Sequence, residues 1–92
     1  MTQLTERVQI INKLGLHARA AAKFVNVAKQ HDCVVKVGGA EQEMVDGKSI
    51  MQVMMLAASK GTEVCITCDG EQAEQAMADL VGLINNYFEE GE

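Results

Sequence analysis

Apolar spacing along this chain switches repeatedly between a period of two and a period of three to four, and that switching leaves few architectures open. Arg7-Val8-Gln9-Ile10 alternates as a half-buried strand does; Ala18 to Gln30 then sets Ala21, Phe24, Val25 and Ala28 at helical spacing, with Lys23 and Lys29 outside. Cys33, Val35 and Val37 alternate again, Gly38-Gly39 marks a tight connection, and Glu41 to Val45 reads as a short return strand. A short helix is expected from Ser49 to Leu56, closed by the Ser59-Lys60-Gly61 break and followed by a strand whose Val64, Ile66 and Cys68 share one face. Asp69 with Gln72 three residues later resembles a capping box. It would open a last helix along Ala73, Ala76, Met77, Leu80, Ile84 and Tyr87. The order βαββαβα predicts an α+β open-faced sandwich, an antiparallel four-stranded sheet covered on one face by three helices.

A chain of 92 residues buries only roughly 60% of its unfolded surface, so residues 1–92 are expected to form a single domain with a single core. With two phenylalanines and one tyrosine, that core must come from aliphatic residues and methionine. The N-terminus lacks the basic and apolar regions of a secretory signal, and the most apolar run, Ile50 to Ala58, is too short to span a membrane. An odd number of cysteines and no visible export route point to the reducing cytoplasm. A net charge of −5 argues against nucleic acid as a partner.

The "CITC" segment, Cys65 to Cys68, suggests metal or redox chemistry, but residues three apart on a strand point to opposite faces. Cys65 should face outward and Cys68 inward, so no metal site is expected. Cys33 reads as buried, and His31 as an ordinary exposed residue at a helix end.

The stretch "LGLHARAAAKF" carries the chemistry. Gly15 allows a sharp turn, so His17 can stand at the start of the first helix, where unpaired backbone N–H groups attract an anion. Arg19 reaches the same space. Its forked guanidinium suits phosphate oxygens, and a neutral imidazole supplies a nucleophilic nitrogen, so phosphoryl capture on nitrogen is the chemistry suggested. A lone histidine at a helix start is more often a cap, and the spacing alone is weak; a second segment, "MVDGKSIMQVMMLAASKGTEV", adds weight.

Together, "NKLGLHARAAAKF", "DGKSIM" and the order of elements resemble the histidine-containing phosphocarrier family, HPr, of the bacterial phosphotransferase system, over nearly the whole chain. The resemblance implies an HPr-like fold and a carrier that is not itself an enzyme. It implies that His17 is transiently phosphorylated on Nδ1, that Arg19 assists the phosphate, and that Ser49 stands at a regulatory position open to a serine kinase. Enzyme I would be the donor and a IIA protein the acceptor, with no cofactor, no membrane insertion and a monomeric carrier. Ala20 departs from the family's common His-x-Arg-Pro, which adds a backbone N–H in the first helical turn. Ile50, Met51 and Met54 are too many apolar residues for the inner face of a short helix, so some should point outward, and the resemblance implies that this outward set lies beside His17 as an adaptable docking patch. Lys23, Lys29 and Lys48 are expected to rim it, and Ala20 and Phe24 to contribute to the contact.

Among members of the family, "INKLGLHARAAAKF", the "DGKSIM" segment and the acidic tail "NNYFEEGE" look most like the nitrogen-branch carrier, with the general sugar-branch carrier as the alternative. The tail itself is expected to be a solvated end. Outside the family, a regulatory module binding a small ligand without phosphotransfer, and a metal-handling module built on Cys65 and Cys68, are the competing readings.

Overall fold

The alternating segments become a sheet with one buried face. In the computed structural model, which describes residues 3–39 and 43–90, β1 (Gln3–Gln9), β2 (Val34–Gly39), β3 (Val45–Asp46) and β4 (Glu63–Asp69) form one sheet in the order β1-β4-β2-β3. Every neighbouring pair is antiparallel. The register sets Val8 opposite Val64, Val37 opposite Ile66 and Val35 opposite Cys68, which places their side chains together under the helices. All six are buried, while the alternate positions Arg7, Lys36 and Glu63 are exposed.

Three helices cover that face: α1 (Ala18–Lys29), α2 (Ile50–Met54) and α3 (Ala73–Asn85). The long helices turn a three-to-four stripe inward, Ala20, Ala21, Phe24, Val25 and Ala28 on α1 and Ala73, Ala76, Met77, Leu80, Leu83 and Ile84 on α3. Small alanines at these contacts let helix and sheet approach closely, and Phe24, 1% exposed, fills the space between. The buried side chains form one core cluster, as the expected α+β open-faced sandwich requires.

Several local expectations change. The return strand is only Val45–Asp46, and Glu41 and Gln42 lie outside the described residues. Helix α2 keeps Ser49 as its N-cap and is shorter than expected. Asp69 and Gln72 do not make a capping box: Gln72 caps α3 with no side-chain bond to it, because its Oε1 accepts instead from the Asp32 backbone N–H at 2.7 Å. His31 is not an ordinary exposed residue; its side chain is 10% exposed and Nε2 lies 2.8 Å from Asp79 Oδ2, tying the end of α1 to α3. Cys33 is half-buried where a buried residue was expected. Tyr87 leaves the helix altogether. It begins a turn, Tyr87–Glu89, in which Tyr87, Phe88 and Glu89 all have left-handed φ, at 56°, 52° and 64°.

Candidate phosphoryl-acceptor site

His17 is placed by the loop that follows β1. Gly15 has φ +68°, and a Cβ there would lie 2.6 Å from the Ala58 carbonyl oxygen, so conformation and space both require glycine. The neighbouring Leu16 is buried and its N–H donates to that same Ala58 oxygen at 2.8 Å. Asn12, fully buried, donates from Nδ2 to the Gly15 carbonyl at 2.8 Å, which holds the turn from its other side. Chain pinned in this way arrives at His17 extended, with φ −77° and ψ −178°, and enters α1 at the next residue.

His17 is the N-cap of α1. Its carbonyl accepts the first helical hydrogen bond, from Ala21 N–H at 2.8 Å, so the amides of Ala18, Arg19 and Ala20 precede the helical ladder. The Arg19 amide donates to His17 Nδ1 at 3.3 Å. On the other side of the ring Nε2 lies 2.9 Å from Glu90 Oε1. A nitrogen that accepts from a backbone N–H carries no proton, so Nε2 holds the ring's proton and donates it to Glu90, leaving the lone pair on Nδ1. The side chain is 22% exposed, open enough to meet a partner.

Glu90 joins the two residues singled out from the sequence. Its Oε2 lies 3.4 Å from Arg19 Nε, and its side chain is only 14% exposed although it stands near the end of the chain. The hydrogen bond from His17 holds the Glu90 carboxyl below its ordinary value, outweighing the burial that would raise it, and the positive charge His17 carries when protonated acts in the same direction, as do those of Arg19 and Lys23. Lys23 is not a free rim residue: Nζ donates to the Phe88 carbonyl at 2.7 Å, and the Phe88 ring is fully buried. The tail is therefore not simply a solvated end. Its described part folds back onto the start of α1, a contact between residues 73 positions apart that no local pattern announces.

The expected docking set divides. Ala20 and Phe24 cannot take part in contact, because both are on the buried stripe of α1, at 0% and 1% exposed. Lys29 is distant from His17 along α1, while Lys48 directly precedes the α2 cap Ser49, two residues from Ile50. Lys29 ends the 12-residue α1, a rise of about 18 Å from its start, and Lys48 Nζ donates to the His31 carbonyl just beyond that end. Val53 and Leu56 take the inner positions around α2, so Ile50, Met51 and Met54 are left exposed, Met51 at 75%. Met55 at 77% and Leu14 at 60% are also exposed, and the sequence reading singled out neither. An apolar excess signalled Ile50, Met51 and Met54, whereas Leu14 reads as an ordinary loop residue until Gly15 and Leu16 turn inward. Ser49, half-buried, accepts from Gln52 N–H at 3.3 Å as a cap.

Among the described residues no group of His, Cys, Asp and Glu is arranged to hold a metal ion. Cys65 and Cys68 sit on alternate sides of β4, Cys68 buried and Cys65 half-buried. Burial, with the neighbouring Cys33 adding to it, pushes the Cys68 thiol up to about 11, which keeps it protonated and unreactive near neutral pH.

Residues 4–86 match the family model described as the PTS HPr component phosphorylation site. The phosphocarrier protein HPr of Pseudomonas putida is 65% identical over 92% of this chain and 94% of its own length. The phosphocarrier protein NPr of Escherichia coli is 33% identical over the same shares, 92% and 94%. A crystal structure of HPr from Thermoanaerobacter tengcongensis superposes with a TM-score of 0.86 at 39% identity, covering 98% of each chain. The matched segment, the identity over most of the chain and the superposed fold agree: the chain belongs to the HPr family of phosphotransferase-system phosphocarriers, proteins that carry a phosphoryl group and are not themselves enzymes.

Proposed function

We propose that His17 Nδ1 receives a phosphoryl group from phosphorylated enzyme I and passes it to a IIA protein. The observation that carries this reading is the division of labour between the ring nitrogens: Nε2 is engaged by Glu90, and Nδ1 keeps its lone pair at the amide-lined start of α1. Nδ1 gives up the weak hydrogen bond from the Arg19 amide, and as its lone pair forms the Nδ1–P bond the donor's bond to phosphorus breaks and that electron pair leaves with the donor. The ring becomes cationic, and its Nε2–H stays hydrogen-bonded to a carboxylate that stabilises that charge. The Arg19 guanidinium, 72% exposed, has the reach to swing onto the phosphoryl oxygens, and the helix-start amides add fixed positive potential. Ala20 contributes one more N–H to that set where a proline would contribute none.

Leu14, Met51, Met54 and Met55 supply an apolar surface for docking. Ser49, at the start of α2, is the position where a serine kinase would add negative charge beside Ile50 and Met51. We take the carrier to act as a monomer in the cytoplasm, where its free cysteines are compatible with a reducing environment. The higher identity to the Pseudomonas putida HPr supports the general carrier role first. The nitrogen branch is the second reading, favoured by the likeness of the His17, Ser49 and tail segments to a nitrogen-branch carrier.

Intact-mass measurement after incubation with enzyme I and phosphoenolpyruvate tests the central claim. One added phosphate is expected, lost in acid and stable in alkali, as a phosphoramidate is. Equal phosphorylation of a folded His17→Ala variant would refute it.

A further inference from the structure

The family match ends at residue 86, yet the group that holds the His17 ring comes from residue 90. Nothing in the periodicity of α3 requires the chain to return to α1. What returns it is a set of specific interactions: Phe88 is fully buried, Lys23 Nζ holds the Phe88 carbonyl at 2.7 Å, and Glu90 reaches both His17 and Arg19. The turn has an unfavourable backbone. Three successive non-glycine residues have left-handed φ, each costing about 1–2 kcal/mol relative to ordinary backbone, and such conformations persist only where the surrounding contacts determine them. The contacts that do so here converge on delivering one carboxylate to the acceptor ring.

We propose that Glu90 is a positioning residue for phosphoryl transfer: it fixes the Nε2–H tautomer and the orientation of His17, and it holds Arg19 beside the ring until a phosphoryl group arrives. The inference rests on the phosphocarrier reading and extends it to a residue beyond the matched segment. A neutral imidazole exchanges its proton between two nitrogens, and only one of the two tautomers presents a lone pair at Nδ1. An acceptor at 2.9 Å from Nε2 favours that tautomer, as the partner of one ring nitrogen sets the state of the other. The same carboxylate, through Oε2, occupies Arg19 while no phosphoryl group is present. Once a dianion is bound at Nδ1, Arg19 has a more highly charged partner within reach, and Glu90 retains Nε2–H alone.

Glu90→Ala and Glu90→Gln in the full chain test this, each checked for a native-like dispersed amide spectrum. The first readout is the pair of ring ¹⁵N signals of His17 at a pH where the imidazole is neutral. The parent is expected to show the Nε2–H pattern, Glu90→Ala a shift toward the tautomer mixture of free imidazole, and Glu90→Gln, which keeps an oxygen acceptor, a smaller shift. The second readout is transfer from enzyme I, where Glu90→Ala is expected to lower kcat about fivefold with KM changed less than about twofold, as suits one partly exposed charge-assisted hydrogen bond. Unchanged ring signals, or a rise in KM alone, would overturn the positioning role, the latter making Glu90 a docking contact. The tautomer readout stands even if the parent fails to take up phosphate, so failure of the carrier reading and failure of this inference are told apart.

Discussion

A methyl group added at Gly15 has nowhere to go. It would meet the Ala58 carbonyl at 2.6 Å and Ser59 Cα at 2.8 Å, both backbone atoms, on a residue whose φ of +68° already disfavours a side chain. Gly15→Ala is therefore expected to destabilise the fold by about 1–2 kcal/mol from φ alone, more with the clash, and to move the loop that delivers His17. Chemical denaturation should show the loss, and phosphoryl uptake should slow even under conditions where the variant stays folded. At Glu90 the prediction concerns pH. Its carboxyl is held below its ordinary value, first by the hydrogen bond from His17. A depressed folded value means that its contribution is present above the unfolded-state value and is lost as pH falls through the folded one. The side-chain carboxyl ¹³C signal of Glu90 should thus titrate below the ordinary glutamate range, and a midpoint at or above that range would contradict the contact. His17 was legible because the signals that define it, Gly15 before and Arg19 after, are adjacent in sequence. Glu90 was not, because its partner lies 73 residues away and its approach depends on three residues in an unusual conformation.

Helix α2 shows how an element's surplus can be read. A short helix with so many apolar residues cannot bury them all, so the exposure of Ile50, Met51 and Met54 followed from counting, that of Met55 did not, and Ser49 as the cap followed from residue type. The hydrogen-bond partner of Lys48 did not follow, because its Nζ reaches the far end of α1 at the His31 carbonyl. This placement sharpens the expectation for Ser49. Aspartate there keeps a cap for the Gln52 amide and adds charge at a helix start that tolerates it, so stability should change by less than about 0.5 kcal/mol. Transfer from enzyme I should nevertheless slow, because charge enters the surface beside Ile50 and Met51. Steady-state kinetics of Ser49→Asp with the full chain separates the cases, and an unchanged rate would make Ser49 a cap alone.

For the whole molecule, the switching period announced the layers and the order of elements, while strand order in the sheet was set by packing that spacing does not encode. Branch choice belongs to this scale too, since it depends on the docking surface as a unit and not on His17. The general-carrier reading predicts faster transfer from the phosphorylated protein to a sugar-type IIA than to a nitrogen-type IIA offered in competition. The opposite preference would assign the nitrogen branch and leave the chemistry at His17 intact. The sheet order has a bearing on how the molecule is made. β4 lies between β1 and β2 and pairs with both, yet it is the last strand to be synthesised. A nascent chain that has emerged only as far as Thr62 holds β1, the histidine and α1, but β1 has no neighbour in the sheet and α1 no complete surface to cover. β1 therefore has no sheet partner until β4 is made, and the Glu90 carboxylate that reaches the ring lies later still in the chain, so the acceptor site is completed by its most C-terminal described residues.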